Sequence, residues 1–327
     1  MRQIGFVAVD GGPRAALAPI ASTLSGVLYR VDDAASESRQ YWAREFAAAC
    51  PSVLFVGTSD SSHGFRVESA VRRAAGQFGI PTVLVEDFPG NYRRVPGVRD
   101  VLLVADGSFS LALARSREAG AFADAIALSG LRYDAVRGTA LIRPVPINQR
   151  ILWAGQPETD DALATLDRLV EVVKSLGLQI VFRAHPRDAG YWAGAYQQTL
   201  SRLGDRVIDM TTAAWQHCLS LAPSLVVTQF SSVAVELGFF GIPAVHVLYE
   251  DIGQRRLLER KGYAALPWCD AGASWAIRDH GTENVIFREA LDPEYRASKL
   301  EAFSKHMLSA NPQTPVLRDY LYNHRLI

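Results

Sequence analysis

The stretches Ile180–Asp188 (IVFRAHPRD) and Leu225–Leu248 (LVVTQFSSVAVELGFFGIPAVHVL) decide how the chain folds. Each contains a short apolar run rich in β-branched residues that stops at polar groups: His185-Pro186 in the first, Ser231-Ser232 in the second. A strand that ends in polar residues and passes into a helical spacing is half of an α/β unit. Two strand ends that present polar atoms where a helix begins are a place to hold a phosphate.

The same rhythm runs outward in both directions. Towards the N-terminus, Ile4–Val9 reads as a strand, Asp10-Gly11-Gly12-Pro13 as a turn and Arg14–Leu24 as a helix. Gly11 and Gly12 would let the backbone approach a ligand closely, and a tight turn alone explains the pair equally well. The pattern is not G-x-G-x-x-G, so a dinucleotide fingerprint is absent. Ser36–Ala49 reads as a helix, Val53–Val56 as a strand and Phe65–Phe78 as a helix; the loop between them, Gly57–Gly64, either binds an acceptor or a phosphate or only caps the helix. The strand Thr82–Val85 ends in Glu86-Asp87, held by the Pro89-Gly90 turn, and this is where an α/β sheet puts its working side chains. Glu86 and Asp87 are the candidates for a general base. Val101–Val104 and Ala125–Leu128 are further strands around a helix at Ser108–Ala119, and the repetition predicts a mostly parallel sheet covered on both faces.

At Arg143-Pro144-Val145-Pro146-Ile147-Asn148 the rhythm breaks, which predicts a linker between domains 1–146 and 147–327. The second series has strands at Ile151–Ala154, Gln179–Phe182, Arg206–Asp209, Leu225–Thr228 and Ala244–Leu248. Its helices are read at Asp160–Leu176, Tyr191–Leu203, Ala213–Leu219 and Val233–Phe239. Pro267–Asn284 reads as loop, and Glu289–Tyr320 as helical with a break at Asn311-Pro312; the last helix is free to cross back to the first domain. The fold class is therefore α/β, two Rossmann-like domains with parallel sheets facing a central cleft.

Composition bounds the partners. The 327 residues are 49% apolar and 21% charged, as in a folded globular protein. Lys plus Arg and Asp plus Glu balance at 34 each, which argues against nucleic acid as a partner. Cys50, Cys218 and Cys269 are scattered, with no zinc or disulfide spacing. No apolar run is long enough to span a bilayer, so a cytoplasmic protein is expected, with peripheral membrane contact and oligomeric state left open.

Ser231 is expected as an N-cap and Ser232 at the first helical position, where hydroxyls and free amides meet the positive end of the helix dipole. Glu236, one turn deeper, would repel a phosphate but accept from ribose or sugar hydroxyls; a solvent-facing carboxylate is the alternative, at odds with its apolar neighbours Val233, Val235, Leu237 and Phe239. His185, stiffened by Pro186 and flanked by Arg183 and Arg187, suits a phosphate oxygen or a departing nucleotide phosphate. No D-x-D pattern stands at a strand end, so no metal is expected.

The segments FRAHPRD (182–188) and TQFSSVAVELGFFGIPAV (228–245) resemble the HP and Ser-Ser motifs of GT-B glycosyltransferases of the bacterial sialyltransferase and polysialyltransferase type. They are also similar to the C-terminal halves of CDP-glycerol glycerophosphotransferases and UDP-N-acetylglucosamine 2-epimerases. GIPTVLVEDFPGNY (79–92) and LSGLRYDAV (128–136) look like late N-terminal-domain segments of the same superfamily. The resemblance implies an inverting, metal-independent transferase that takes a CMP- or UDP-linked sugar to a hydroxyl acceptor, with no cofactor beyond the donor itself. The acceptor it implies is a glycan, a lipid-linked group or a small molecule. It gives Glu86-Asp87 as the counterpart of the acidic base motif, although Phe88-Pro89 here separates the carboxylates from Gly90. The epimerases' Ser-Gly-Gly loop and paired glutamates are replaced by Ser231-Ser232 and the single Glu236. Epimerisation or hydrolysis of a nucleotide sugar, glycerophosphate transfer, and a nucleotide-binding or assembly protein without catalysis remain the alternatives.

Overall fold

The computed structural model describes residues 3–29, 31, 34–128, 130–134, 145–213, 215–307 and 313–327. The chain divides into two compact units, Met1–Thr139 with Ser309–Ile327, and Ala140–Leu308. Arg143-Pro144 of the expected linker and the expected helix break at Asn311-Pro312 lie outside the described residues, as does Ser129. The rest of the linker is bound into the second unit: Asn148 N donates to Ser224 Oγ at 2.6 Å, and Arg296 Nη2 donates to Val145 O at 3.2 Å.

The first unit is built on a six-stranded, wholly parallel sheet of order β2-β1-β3-β4-β5-β6. Its strands are β1 (Ile4–Val7), β2 (Val27–Leu28), β3 (Val53–Gly57), β4 (Thr82–Val85), β5 (Asp100–Ala105) and β6 (Phe122–Ala127). Central strands in such a sheet are covered on both faces, which is why β3 and β4 read as unbroken apolar runs; every residue of both is buried. Helices α1 (Gly11–Leu24), α2 (Arg39–Ala48), α3 (Ser62–Gln77) and α4 (Gly107–Arg117) supply the covering layers. Trp42, Phe46, Val67 and Val71 pack on one face of the sheet; Ala16, Leu17 and Ile20 pack on the other.

The C-terminal helix Gln313–Asn323 belongs to this unit. Leu317 and Leu321 are fully buried beside Leu17 and Phe55, and Thr314 fixes its start by donating its backbone N and Oγ1 to Asp134 Oδ2 at 2.5 and 2.6 Å.

The second unit repeats the architecture. Its parallel sheet has the order β12-β11-β10-β7-β8-β9, from β7 (Arg150–Ala154), β8 (Gln179–Arg183), β9 (Val207–Asp209), β10 (Leu225–Thr228), β11 (Ala244–Val247) and β12 (Trp275–Ile277). Helix α5 (Thr159–Ser175) buries Leu166, Leu169, Val170 and Val173 against it, with Leu163 only partly buried beside them.

Some local expectations change. α1 begins at Gly11, so the glycines form its first turn and are not a loop ahead of it. The expected helix over 191–203 is two pieces, Ala189–Trp192 and Gln197–Leu203, parted by Gly194 at a φ of 83°. In place of the helix expected over 213–219, a tighter 3-10 segment runs over Trp215–Leu221. The supposed loop 267–284 contains the short helix Pro267–Asp270 and the edge strand β12, and the next helix starts at Glu283. β12 has three residues and β2 two, too few to show a period.

Burial of the C-terminal helix makes a stability prediction. Leu321→Ala should cost about 2–5 kcal/mol in urea unfolding, the range for emptying a packed leucine site. An unchanged midpoint would show that this helix does not complete the first core.

Candidate functional site

In each sheet the winding reverses once, between β1 and β3 in the first unit and between β7 and β10 in the second. Ligands of doubly wound sheets bind outside the carboxyl ends of the strands at that reversal, where the outgoing loops diverge.

In the second unit the HP loop leaves β8 and the Ser-Ser loop leaves β10, the two neighbours of β7. Thr228 Oγ1 donates to Ala154 O at 2.6 Å, and Gln156 Nε2 donates to Thr228 Oγ1 at 3.2 Å, so the exits of β10 and β7 are tied together. Gly155 stands between the loops. A Cβ there would lie 3.1 Å from His185 N and 3.2 Å from Arg183 O, so the close approach of β7's exit to the HP loop uses the bare backbone.

The HP loop is fixed at both ends. Ala184 N donates to Thr211 Oγ1 at 3.0 Å, and Asp188, fully buried, accepts from Tyr196 OH at 2.7 Å and Gly190 N at 3.0 Å. His185 Nδ1 accepts from Arg187 N at 3.1 Å, which places the proton of a neutral ring on Nε2. Pro186 and Arg187 are exposed. Arg183 Nε is buried with no hydrogen-bond partner, leaving an unmet donor at the β8 exit.

The Ser-Ser turn differs from expectation by one residue. Helix α6 (Val233–Gly238) begins after Ser232, which occupies the cap position in a helical conformation, while Ser231 Oγ accepts from Val233 N at 3.3 Å. Both serines and Glu236 are half-buried. Beneath them lies a network that sequence reading missed. Gln229 Nε2 donates to Thr165 Oγ1 at 2.8 Å, and Gln229 O accepts from His246 Nδ1 at 2.9 Å. Trp268 Nε1 donates to His246 Nε2 at 2.9 Å. A carbonyl on one nitrogen and an indole N–H on the other define His246 as neutral, and burial pushes its pKa down to about 4 against the pull of Gln229 O. In the sequence His246 is one polar residue inside an apolar strand, and nothing local marks it.

In the first unit the loops after β1, β3 and β4 meet. Asp87 is buried; its Oδ1 accepts from Asn91 Nδ2 at 2.9 Å and Thr58 Oγ1 at 3.5 Å, and its Oδ2 lies 3.8 Å from Arg132 Nη1. A Cβ at Gly12 would collide with Asp87 Oδ2, so any side chain there would displace the carboxylate. Gly11, by contrast, faces open space. Glu86 points elsewhere: it accepts from Tyr92 N at 2.8 Å, Asp106 N at 3.1 Å and the Ser110 hydroxyl, and so braces the 86–92 loop against the start of α4. Burial raises its pKa to about 7 in spite of those donors.

Asp10 and Glu68 join the cluster without having been singled out in the sequence. Asp10 accepts from Ser61 N at 2.9 Å and Ser61 Oγ at 2.7 Å. Glu68 accepts from Ser59 N on both oxygens, at 2.8 and 3.0 Å. Glu68 lies in the middle of an amphipathic helix, where a carboxylate ordinarily faces water; here it is 4% exposed.

No family model matches the chain, and no curated protein does. Solved structures do match along its whole length. A Listeria monocytogenes protein assigned as a UDP-N-acetylglucosamine 2-epimerase aligns at TM-score 0.63 and 14% identity, covering 100% of this chain and 98% of that one. The Methanocaldococcus jannaschii UDP-GlcNAc 2-epimerase, in complex with UDP-GlcNAc and UDP, aligns at 0.59 and 11%, covering 98% and 100%. The spinosyn rhamnosyltransferase SpnG aligns at 0.58 and 15%, covering 98% and 100%. At these identities the likeness establishes the fold: two Rossmann-like units of the GT-B kind, each with a six-stranded parallel sheet.

The buried carboxyl of Glu68 makes a prediction about pH. Burial, with Asp10 and Asp87 nearby, raises its pKa to about 8, so the folded protein keeps this proton where the unfolded chain has lost it. Its contribution to stability is complete below the unfolded value and declines as pH rises through the folded one. Urea unfolding at about pH 5 and about pH 8 should therefore show wild type losing stability relative to Glu68→Gln at the higher pH. A difference that stays constant would mean that Glu68 ionises alike in both states.

Proposed function

We propose that the protein is a glycosyltransferase that moves a sugar from a CMP- or UDP-linked donor to a hydroxyl acceptor, with inversion and without a metal, in glycan or glycoconjugate synthesis. The observation that carries this reading is the placement of the HP and Ser-Ser loops on either side of β7, at the reversal of the second sheet, with Arg183 Nε unmet at the same edge. In this reading Arg183, His185, Ser231 and Ser232 hold the donor phosphates, with Pro186 keeping the loop rigid and Arg187 adding positive charge. Glu236 accepts from sugar or ribose hydroxyls. As the bond from anomeric carbon to phosphate oxygen breaks, negative charge grows on the leaving phosphate, and the Nε2–H of His185 and the amides at the start of α6 stabilise it.

Acceptor chemistry is assigned to the first unit. Asp87, fixed by Asn91 and Thr58, takes the proton of the attacking hydroxyl; Gly12 makes room for that carboxylate, and the bare backbone at Gly11 lets the acceptor come close. Glu86 supports the Asp87 loop from beneath. The likeness to epimerase structures keeps a second reaction on this scaffold in view, epimerisation of a nucleotide sugar; product analysis without any acceptor separates the two.

Calorimetric titration with CMP, CDP, UMP, UDP and GDP tests the donor site. One nucleotide should bind, and His185→Ala should weaken it by about tenfold or more, the worth of a charge-assisted hydrogen bond. No binding by any of them would remove the proposal's foundation. Asp87→Asn should leave that affinity unchanged and lower turnover by about a hundredfold or more. Loss of nucleotide affinity in this variant would instead mark Asp87 as structural. Turnover should persist in EDTA; its loss, with recovery on adding magnesium or manganese, would contradict the metal-free mechanism.

A further inference from the structure

The first unit has a polar cavity at the opposite end of its sheet from Asp87. It opens where β4 and β5 begin, has a volume of about 520 Å³, and is lined by Arg39, Arg72, Arg73 and Arg99 with no carboxylate among its lining residues. Arg72 is already committed: its Nε donates to Asp100 Oδ1 at 3.1 Å, its Nη2 pairs with Asp100 Oδ2, and Thr82 Oγ1 donates to the same carboxylate at 2.6 Å. That buried pair is electrically closed. Arg39, Arg73 and Arg99 are exposed, and among the described residues none of them makes a hydrogen bond or an ion pair.

Three unmatched guanidinium groups around one cavity repel one another, and folding gains nothing from bringing them together. Arg39 sharpens the point. It is the first residue of α2, at the positive end of that helix, where a cation is disfavoured and an anion is favoured. The remaining wall is low: a Cβ at Gly76, Gly79 or Gly97 would meet nothing within 4 Å, so a ligand can reach the backbone there. Planar guanidinium forks with a bare backbone between them match the oxygens of a phosphate group.

We propose that this groove is a binding site for a phosphate-bearing ligand, held by Arg39, Arg73 and Arg99 and separate from the nucleotide and acceptor positions assigned above. The ligand is either a soluble phosphorylated molecule or the headgroup of an anionic phospholipid; both offer the same oxygens.

The test is calorimetric titration with inorganic pyrophosphate in a His185→Ala background, which weakens the phosphate position proposed for the second unit. His185→Ala should bind pyrophosphate, and adding Arg73→Ala and Arg99→Ala should weaken it by about tenfold per arginine. Arg288→Ala, an exposed arginine of the second unit, should change nothing. A parallel sedimentation with phosphatidylcholine vesicles, with and without phosphatidylglycerol, identifies the source. Retention that requires both phosphatidylglycerol and the two arginines assigns a headgroup; pyrophosphate binding without retention assigns a soluble ligand. If the two arginine substitutions alter neither pyrophosphate binding nor vesicle retention, or if neither probe binds, the inference is overturned. That result would leave the donor-site proposal untouched, because its own titration is carried out with nucleotides on the wild type.

Discussion

The hydrogen bond from Thr228 to the carbonyl of Ala154 joins the last residue of β10 to the last residue of β7, and the candidate donor site depends on it. Parallel strands end in backbone groups that the sheet no longer pairs, and each has to be met by something. Here a side chain meets one of them across the reversal of the sheet, and the two loops that diverge from that point keep a fixed spacing. Gly155 lets the HP loop press against β7 from one side. On the other, Gln229 is anchored below to Thr165 and behind to His246, so Ser231 and Ser232 follow from a pinned residue. In the proposed reading, the donor's phosphates would meet groups whose positions are settled before the ligand arrives.

The first unit solves the same problem with carboxylates. Glu68 takes the amide of Ser59, Asp10 takes the amide and hydroxyl of Ser61, and Glu86 takes the amides of Tyr92 and Asp106. Three acids are used to satisfy loop backbone at the strand exits, and two of them, Glu68 and Glu86, are buried deeply enough for their pKa values to rise. Asp87 is held differently, by side-chain donors and by Arg132. An acid that braces a loop and an acid held by side chains look alike in a sequence.

Long elements were legible because their physics is local. The unbroken apolar runs of β3, β4 and β10 announced strands buried on both faces. Glu86-Asp87, His185 and Ser231-Ser232 were singled out because they stand at strand ends. What stayed hidden depends on distant partners. His246 acquires meaning only from Trp268, which comes 22 residues later. Arg132 matters through Asp87, and Gly12 matters because an aspartate from another loop occupies the space of its missing side chain. β2 and β12 were missed because so few residues carry no period, and only pairing with β1 and β11 makes them strands.

The central claim is that the two loops flanking β7 together hold the phosphates of a nucleotide. Hydrogen–deuterium exchange with and without the nucleotide that binds tests this most directly. The account predicts that binding slows exchange in peptides spanning 184–188 and 229–236 in the same experiment, with no comparable slowing at the β4–β5 end of the first sheet. Protection confined to one of the two loops, or found in neither, would contradict it.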